Sequence, residues 1–429
     1  MGTKVFKFGG ASVKDASAVK NLSRILRTYK GEKLVVVVSA MGKTTNALEK
    51  VVEAYARGDE NAEQKIKAVK DYHSAILNEL FEGAENESTK KVRNYFEALE
   101  ETAKNEKGKS YDEFYDAVVS FGELISTEII HGYLLHEGYK SYWVDVRQVL
   151  FTNSYHREAK VDWQETQKRI ANLCDDSFKT ADIVVTQGFI AADKEGNTTT
   201  LGREGSDFTG AVFAYALNAD SLTIWKDVPG LLNADPKYFK DTKKIDTLSY
   251  GETVELAFYG ATIIHPKTIK PLQNKLIPLF VKSFLQPAAE GTLIHDDSQN
   301  DSKLPSYIFK KNQILISISP RDYSFMDENN LAVIFSSLAK YHIKVNVMQN
   351  SAISFSVCVD NGNNKVDNFI EDVKKDYRVR YNRRLELLTI RHYTQELIEK
   401  LTGNRKIYLE QRSRATVQIV MDAPEIKQS

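Results

Sequence analysis

Lys7, Gly9, Gly10 and Ser12 stand together in KFGGASV, near the start of the chain. Paired glycines let backbone N–H groups approach an anion closely, and Lys7 adds a mobile positive charge. The pattern suits a phosphate; it also suits an ordinary strand-to-helix turn that needs glycine for its backbone angles. A second stretch, VVSAMGKTTN, ends in Gly42-Lys43-Thr44-Thr45, the spelling of a P-loop terminus. A P-loop requires a glycine five positions before the final Gly-Lys pair. That position is Val37, inside a strand-like run, which excludes the motif. A tight turn bracketed by Ser39 and Thr45 survives, where helix N–H groups favour an anion or a threonine hydroxyl simply caps the helix.

Three further stretches carry charge. In LGREGSD, Arg203, Glu204, Ser206 and Asp207 crowd a glycine-bounded turn before an apolar helix. Arginine can clamp a carboxylate with two parallel hydrogen bonds and Asp207 can hold an ammonium group, so one loop could recognise both ends of an amino acid. The plainer reading makes Ser206 or Asp207 an N-cap. In SFGE, Glu123 follows a glycine within a largely apolar helical region. A carboxylate there is costly unless paired or solvated; alternatively it is an exposed helix-start residue favoured by the dipole. In IWKDVPGLLNADPKYF, Lys226 and Asp227 end a strand, a Pro-Gly turn follows, and then come Asp235, Pro236 and Lys237. Loops at the carboxyl ends of parallel strands are where open sheets bind ligands.

The elements that must position these residues are legible from periodicity. Residues 3–8 and 34–39 are short, Val-rich and bounded by Gly or Ser, as buried strands are. Helical spacing at Val19, Leu22, Ile25 and Leu26 between them makes a β-α-β opening, hence a mainly parallel sheet flanked by helices. Residues 46–137 read as mostly helical. Further strands are expected at Tyr142–Val144, Asp182–Thr186, Ser221–Trp225 and Ile277–Val281. The polar run around Asp296–Ser302 marks a linker, placed at 294–306 after a first domain of residues 1–293. Beyond it the pattern β-α-β-β-α-β covers 307–383, and a shorter strand-helix-strand-strand run covers 384–429. These are two ferredoxin-like units, a fold with many uses.

Composition narrows the function. Lys plus Arg and Asp plus Glu each total 58 in 429 residues, so no net charge draws the chain to nucleic acid or to an anionic membrane. No apolar run approaches the ~20 residues of a membrane span. The opening KVFKF lacks a signal-peptide pattern. Cys174 and Cys358 lie far apart in apolar surroundings and read as reduced core thiols, so a cytoplasmic protein is expected.

KFGGASV, VVSAMGKTTN, SFGE, LGREGSD, WKDVPG, NADPK and GATIIHPKT occur in one order, and together they closely resemble the aspartate kinases of the amino-acid kinase family. The resemblance runs from Lys4 to about Leu293, and the C-terminal pair resembles the regulatory ACT domains of those enzymes. It implies a three-layer αβα kinase domain that transfers the γ-phosphoryl group of ATP to the β-carboxylate of L-aspartate, the first step toward lysine, threonine and methionine. It implies Lys7 as the catalytic lysine, with Asp207 in the same machinery. Gly9, Gly10 and Ser12 would line the phosphates, with Ser39 near the reacting group. Thr45 would touch aspartate, Glu123 and Asp207 would hold its ammonium group, and Arg203 its α-carboxylate with Ser206 beside it. Lys226, Asp227, Asp235 and Lys237 would contact the nucleotide. Mg²⁺ would arrive on the nucleotide, with no dedicated protein metal site.

The chain departs from the family pattern in places. Ala11 replaces a Thr, Glu204 a Gly, Lys226 a hydroxyl residue and Leu232 a Tyr. Thr262 replaces a nucleotide-contacting lysine, which Lys226 or Lys267 could replace in function. In the first ACT unit, Asn346, Met348 and Ser351 would be effector contacts, with lysine the first-choice effector and threonine the second; otherwise these domains only join a homodimer. From the length, no fused homoserine dehydrogenase is expected. Two other readings stay open: a kinase for a different acceptor such as glutamate, and a non-enzymatic amino-acid sensor.

Overall fold

The computed structural model describes residues 2–105, 110–261, 264–322 and 324–424, with the side chain of Asn363 also outside the description. Thr262, one of the departures above, lies outside the described residues. The chain divides into two compact units. The first holds Met1–Leu231, Lys244–Val254 and Ile263–Ser298; the second holds Leu232–Lys243, Glu255–Thr262 and Gln299–Ser429.

The first unit is built on an eight-stranded sheet. Its strands are β1 (Thr3–Phe8), β2 (Lys33–Val38), β3 (Ser141–Val144), β4 (Ile183–Gln187), β7 (Ser221–Lys226), β10 (Thr247–Ser249), β11 (Leu279–Ser283) and β12 (Thr292–His295). Short strands β5 (Ile190–Ala192) and β6 (Thr198–Thr200) form a hairpin beside it, and β8 (Leu231–Leu232) and β9 (Lys244–Ile245) complete the count. The order β10-β12-β11-β7-β1-β2-β4-β3 is parallel from β11 through β3, while β12 runs against β11. Unbroken apolar runs make this possible: Leu34–Val38 and all of β4 are buried, as strands covered by helices on both faces must be.

Helices α1 (Ala16–Arg27), α2 (Thr44–Ala56), α3 (Ala62–Phe81), α4 (Glu87–Lys104) and α5 (Tyr111–His136) form one layer. Helices α6 (Trp163–Ser177), α7 (Gly205–Leu217) and α9 (Pro266–Asn274) form the other; α8 (Tyr250–Tyr259) begins in this unit and passes into the second after Val254. Helices α5 and α7 are apolar on nearly every side, and both are buried through most of their length. This is the expected three-layer αβα architecture.

The second unit carries a six-stranded antiparallel sheet, ordered β14-β15-β13-β16-β18-β17. Its elements are β13 (Ser306–Pro320), α10 (Glu328–Lys340), β14 (Val345–Ser351), β15 (Ser354–Asp360), α11 (Asn363–Val373), β16 (Tyr377–Arg391), α12 (Gln395–Thr402), β17 (Ile407–Arg412) and β18 (Thr416–Asp422). Ile314, Ile316, Ile334, Phe355, Val357 and Phe369 share one apolar cluster, which seats α10 and α11 on the first half. Leu388, Ile390, Ile398, Val417, Ile419 and Met421 share another, which seats α12 on the second.

The halves interlock differently from a simple tandem. Ser306–Lys310 pairs with Leu387–Arg391, whereas Leu315–Pro320 pairs with Tyr377–Asn382, with register shifts between. The second half therefore takes its first strand from before the first half, and the expected division at 383/384 falls inside the single strand β16. The expected linker at 294–306 likewise begins inside β12 and ends on the first residue of β13. A run of alternating residues announces a strand but not its partner, so two 15-residue strands that each serve both halves look like separate short ones.

Candidate active site

Lys7 lies one residue before the end of β1, the strand flanked by β7 on one side and β2 on the other. From β1 the chain moves outward to β2 and β4 on one side and later to β7 and β11 on the other, so the strand order reverses here and a crevice opens beyond the carboxyl ends of the strands. Gly10 begins a short 3-10 turn there, Gly10–Val13. Its Cα approaches the turn after β2 so closely that a Cβ would sit 2.7 Å from the Gly42 carbonyl oxygen and 2.8 Å from that of Ala40. Gly42 N–H donates to the Gly10 carbonyl at 3.0 Å. The GG and SAMG stretches are thus two halves of one interlocked turn. Lys43 is exposed and does not line the cleft; Thr44 turns inward, its hydroxyl donating to the Met41 carbonyl at 2.7 Å. No side chain caps the start of α2.

Above this turn sits a cleft of about 770 Å³, within the range of small-molecule sites. Lys7, Gly9, Gly10, Ser12 and Ser39 line one part of it; Thr45, Glu123, Arg203, Ser206 and Asp207 line another; Lys226 and Asp227 close a third side. Asp235 and Lys237 belong to the second unit, are exposed, and are not among the cleft-lining residues. They follow the Pro-Gly turn in sequence, and the chain passes into the second unit at Leu232.

The centre of the cleft is an ion triad. Asp207, in the first turn of α7, is buried; Lys7 Nζ lies 2.6 Å from its Oδ1 and Lys226 Nζ 3.6 Å from its Oδ2. Burial pushes the Asp207 carboxyl up, but the charges of Lys7 and Lys226 outweigh it and hold the carboxyl below its ordinary range. Asp207 is not the N-cap of α7. Glu204 takes that position in a left-handed conformation, φ +53°, and gives no side-chain cap. Glu204 Oε2 is buried and has no hydrogen-bond partner among the described residues.

Glu123 is the second unusual carboxylate. It is not at a helix start: it sits mid-way along α5 and is 2% exposed. Gly122 makes this possible, because a Cβ there would stand 3.0 Å from the Ala40 Cβ. The helix can therefore approach the turn after β2, and the Ala40 N–H reaches Glu123 Oε1 at 3.3 Å. Burial pushes the Glu123 carboxyl up to about 8, against the opposing pull of the Ala40 N–H and of Lys7. Its Oε2 is buried without a partner among the described residues, a carboxyl set to receive a donor.

Smaller contacts hold the frame. Ser12 Oγ donates to the Trp225 carbonyl at 3.3 Å, and Ser126 Oγ to the Ser39 carbonyl at 2.8 Å. Of the two lysines expected to compensate for Thr262, Lys226 is in the cleft. Lys267 is not; its Nζ donates to the Leu201 carbonyl at 2.6 Å. Sequence reasoning also missed one wall, formed by Tyr155, His156, Arg157 and Glu158. Fully buried Asp116 on α5 pins this loop. It accepts from the Arg157 and Thr200 N–H groups at 3.0 Å each and from Thr200 Oγ1 at 2.6 Å, and it pairs with His156 Nδ1 at 3.0 Å. No motif marks the loop; an Asp among the apolar residues of α5 was the available signal.

The expected effector residues lie on β14, an edge of the second unit's sheet. The Asn346 side chain is engaged inside the sheet, accepting from Lys310 Nζ at 2.8 Å and donating to Gln313 Oε1 at 2.9 Å. Met348 is 48% exposed, and the Ser351 hydroxyl meets that of Ser354 at 2.8 Å.

Comparison with known proteins places this geometry. Residues 2–283 match the amino acid kinase family. The chain is 32% identical over 357 residues to lysine-sensitive aspartokinase 3 of Escherichia coli, covering 83% of this chain and 78% of that one. It is 30% identical over 413 residues to the chloroplastic aspartokinase 2 of Arabidopsis thaliana, covering 90% and 74%. The crystal structure of E. coli aspartokinase III in complex with aspartate and ADP superposes with a TM-score of 0.81 at 27% identity, over 98% of this chain and 96% of that one. The structure of the E. coli enzyme in complex with lysine and aspartate gives 0.81 at 28% identity, over 97% and 95%. With its kinase-type sheet, its triad at the strand ends and these relatives, the chain is a member of the amino acid kinase family and, within it, of the aspartokinases.

Proposed function

We propose that this protein transfers the γ-phosphoryl group of ATP to the β-carboxylate of L-aspartate, giving 4-phospho-L-aspartate and ADP. The observation that carries this reading is the Lys7–Asp207–Lys226 triad, set beside a glycine cradle in the same cleft as Arg203 and Glu123. The E. coli relative binds aspartate and ADP.

The nucleophile, a carboxylate, is already ionised at neutral pH and needs no general base. The task is to bring two anions into line and neutralise them. Lys7 is the cation for the moving phosphoryl group, and Asp207 positions it by ion pairing while holding Lys226 on the other side. N–H groups around Gly9 and Gly10, with Ser12 and Ser39, cradle the phosphates. Arg203, exposed at the cleft, clamps the α-carboxylate beside Ser206, and Thr45 contacts the substrate from α2. Glu123 receives the α-ammonium group, which supplies the donor that its unpartnered Oε2 lacks.

Magnesium fits this site as a companion of the nucleotide. No group of three His, Cys, Asp or Glu side chains able to hold a metal occurs among the described residues, and the triad offers ammonium groups rather than a carboxylate cage. The phosphates would hold the ion, with Asp227, exposed at the cleft wall, as the carboxylate available to it. When bound, it supplies charge neutralisation on the phosphates.

Regulation by an amino acid, lysine first, is the reading for the second unit; the E. coli relative binds lysine. Homodimers would form through this unit, whose sheet ends on one side at β14. No helix among the described residues is long and apolar enough to cross a membrane, which suits the cytoplasmic location we propose.

An ATP-dependent hydroxamate assay with aspartate, glutamate or no acceptor, repeated with added lysine or threonine, tests the whole reading. Aspartate-dependent product that falls with lysine is expected. Activity with glutamate alone, or no turnover, would overturn it.

A further inference from the structure

A second cavity, of about 840 Å³, lies in the first unit on the outer side of α7, between the segment Glu158–Val161, the start of α6 and helix α9. It is separate from the cleft described above but shares Arg203 and Glu158 with it. We infer that this cavity binds a small organic anion, a phosphate or carboxylate carried on a flat ring, and that its occupancy competes for Arg203 with the amino-acid substrate.

Two features define the ligand. The first is charge. Lys160, Arg203, Lys267 and Lys270 face the cavity against one carboxylate, Glu158, in a chain whose overall charge is balanced. Local cation excess in a concave wall attracts an anion and raises its effective concentration. Lys267 is part-buried with its Nζ 4.7 Å from the centre of the Phe208 ring, and burial lowers its pKa. An entering anion would offset the burial that disfavours the charged form of Lys267.

The second feature is an aromatic wall. Trp163 stands edge-on to Phe208, with centroids 6.1 Å apart, and to Tyr215, at 5.1 Å. Trp163 is nonetheless 38% exposed, so part of a large flat surface faces the cavity uncovered. Flat apolar groups pack on such rings at low entropy cost, and a phosphate or carboxylate on the same molecule would reach the lysines. Inorganic phosphate alone would leave the wall unused.

Arg203 gives the cavity a consequence. It is exposed, lines both spaces and has no ion-pair partner among the described residues, so its guanidinium is available to either. An anion in the outer cavity draws it away from the substrate carboxylate. This coupling rests on the role proposed for Arg203 above; the binding itself does not.

The experiment is a calorimetric titration of the full chain with phenyl phosphate, in the presence of Mg-ADP to fill the nucleotide site. Saturable one-to-one binding is expected. It should weaken about tenfold in Lys270→Ala and in Trp163→Ala, while kcat and both KM values of these variants stay near wild type, since neither residue lines the active cleft. Inorganic phosphate should bind at least tenfold more weakly than phenyl phosphate. Saturating aspartate should raise the apparent Kd of phenyl phosphate several-fold. Absence of saturable binding at millimolar concentration, or unchanged binding by both variants, would overturn the site. Binding indifferent to aspartate would overturn the competition. Loss of aspartate-dependent hydroxamate formation would sink the proposed reaction without changing any of these binding results.

Discussion

Lys7 Nζ stands 2.6 Å from Asp207 Oδ1, joining the end of β1 to the first turn of α7 across two hundred residues of chain. The pair is buried, so each charge depends on the other, with Lys226 as the second cation. In the role proposed for it, a lysine held by one carboxylate, rather than swinging free, would meet the incoming phosphoryl group already oriented.

Lys7→Ala should therefore lower kcat by about 10²–10³, the cost typical of losing one preorganised charge-stabilising group. Affinity for ADP should change only a few-fold, because the glycine cradle remains. Stopped-time turnover and ADP calorimetry give both numbers. Lys7→Arg keeps the charge and so the fold, but should still lose most turnover; near-normal turnover in both variants would remove Lys7 from the mechanism.

Glu123 predicts a pH dependence. Burial raises its carboxyl to about 8, so the folded enzyme holds a proton that the unfolded chain releases near the ordinary glutamate value. Stability from this group is full below that ordinary value and is lost as pH rises toward 8. Glu123→Gln should flatten that part of the Tm-versus-pH curve. In the wild type, binding an ammonium group favours the ionised form, so aspartate uptake should release a proton below pH 8. KM for aspartate should fall by roughly tenfold between pH 6.5 and 8.5. A flat KM across that range would remove Glu123 from ammonium recognition.

Lys226 faces Asp207 from the end of β7, where the family pattern has a hydroxyl residue. If it replaces the lysine lost at position 262, Lys226→Thr should raise KM for ATP about tenfold, the effect of one charge-assisted contact to phosphate. KM for aspartate should move less. An unchanged KM for ATP sinks this compensation.

Glu204 holds φ +53° where the family pattern has Gly. A non-glycine residue there carries a backbone cost of about 1–2 kcal/mol. Glycine relieves it but loses more entropy on folding, about 0.4–1 kcal/mol. Glu204→Gly should thus be at least as stable as the wild type in urea denaturation, and Glu204→Val clearly less stable. The reverse order would show that the Glu204 side chain stabilises the turn more than its conformation costs.

The sequence by itself determined the six parallel strands from β11 to β3 to within about two residues, though not β10 or β12, together with the first helix between β1 and β2 and the strand-helix alternation of the second unit. It also singled out Lys7, Gly9, Gly10, Glu123, Arg203 and Asp207 as candidates through ordered motifs, and all six line one cleft. Both depend on patterns spanning only a few residues, where periodicity and turn chemistry are written locally. Tertiary structure alone decided which of them meet. It paired Lys7 and Lys226 with Asp207, buried Glu123 mid-helix rather than exposing it at a helix start, and assigned Asp235 and Lys237 to the other compact unit. It also let β13 and β16 run through both halves of the second sheet and gave the unmarked loop at Tyr155–Glu158 a place in the cleft wall. These outcomes depend on partners far apart along the chain, and a strand or a buried carboxylate carries no local mark of the distant residue that it will meet.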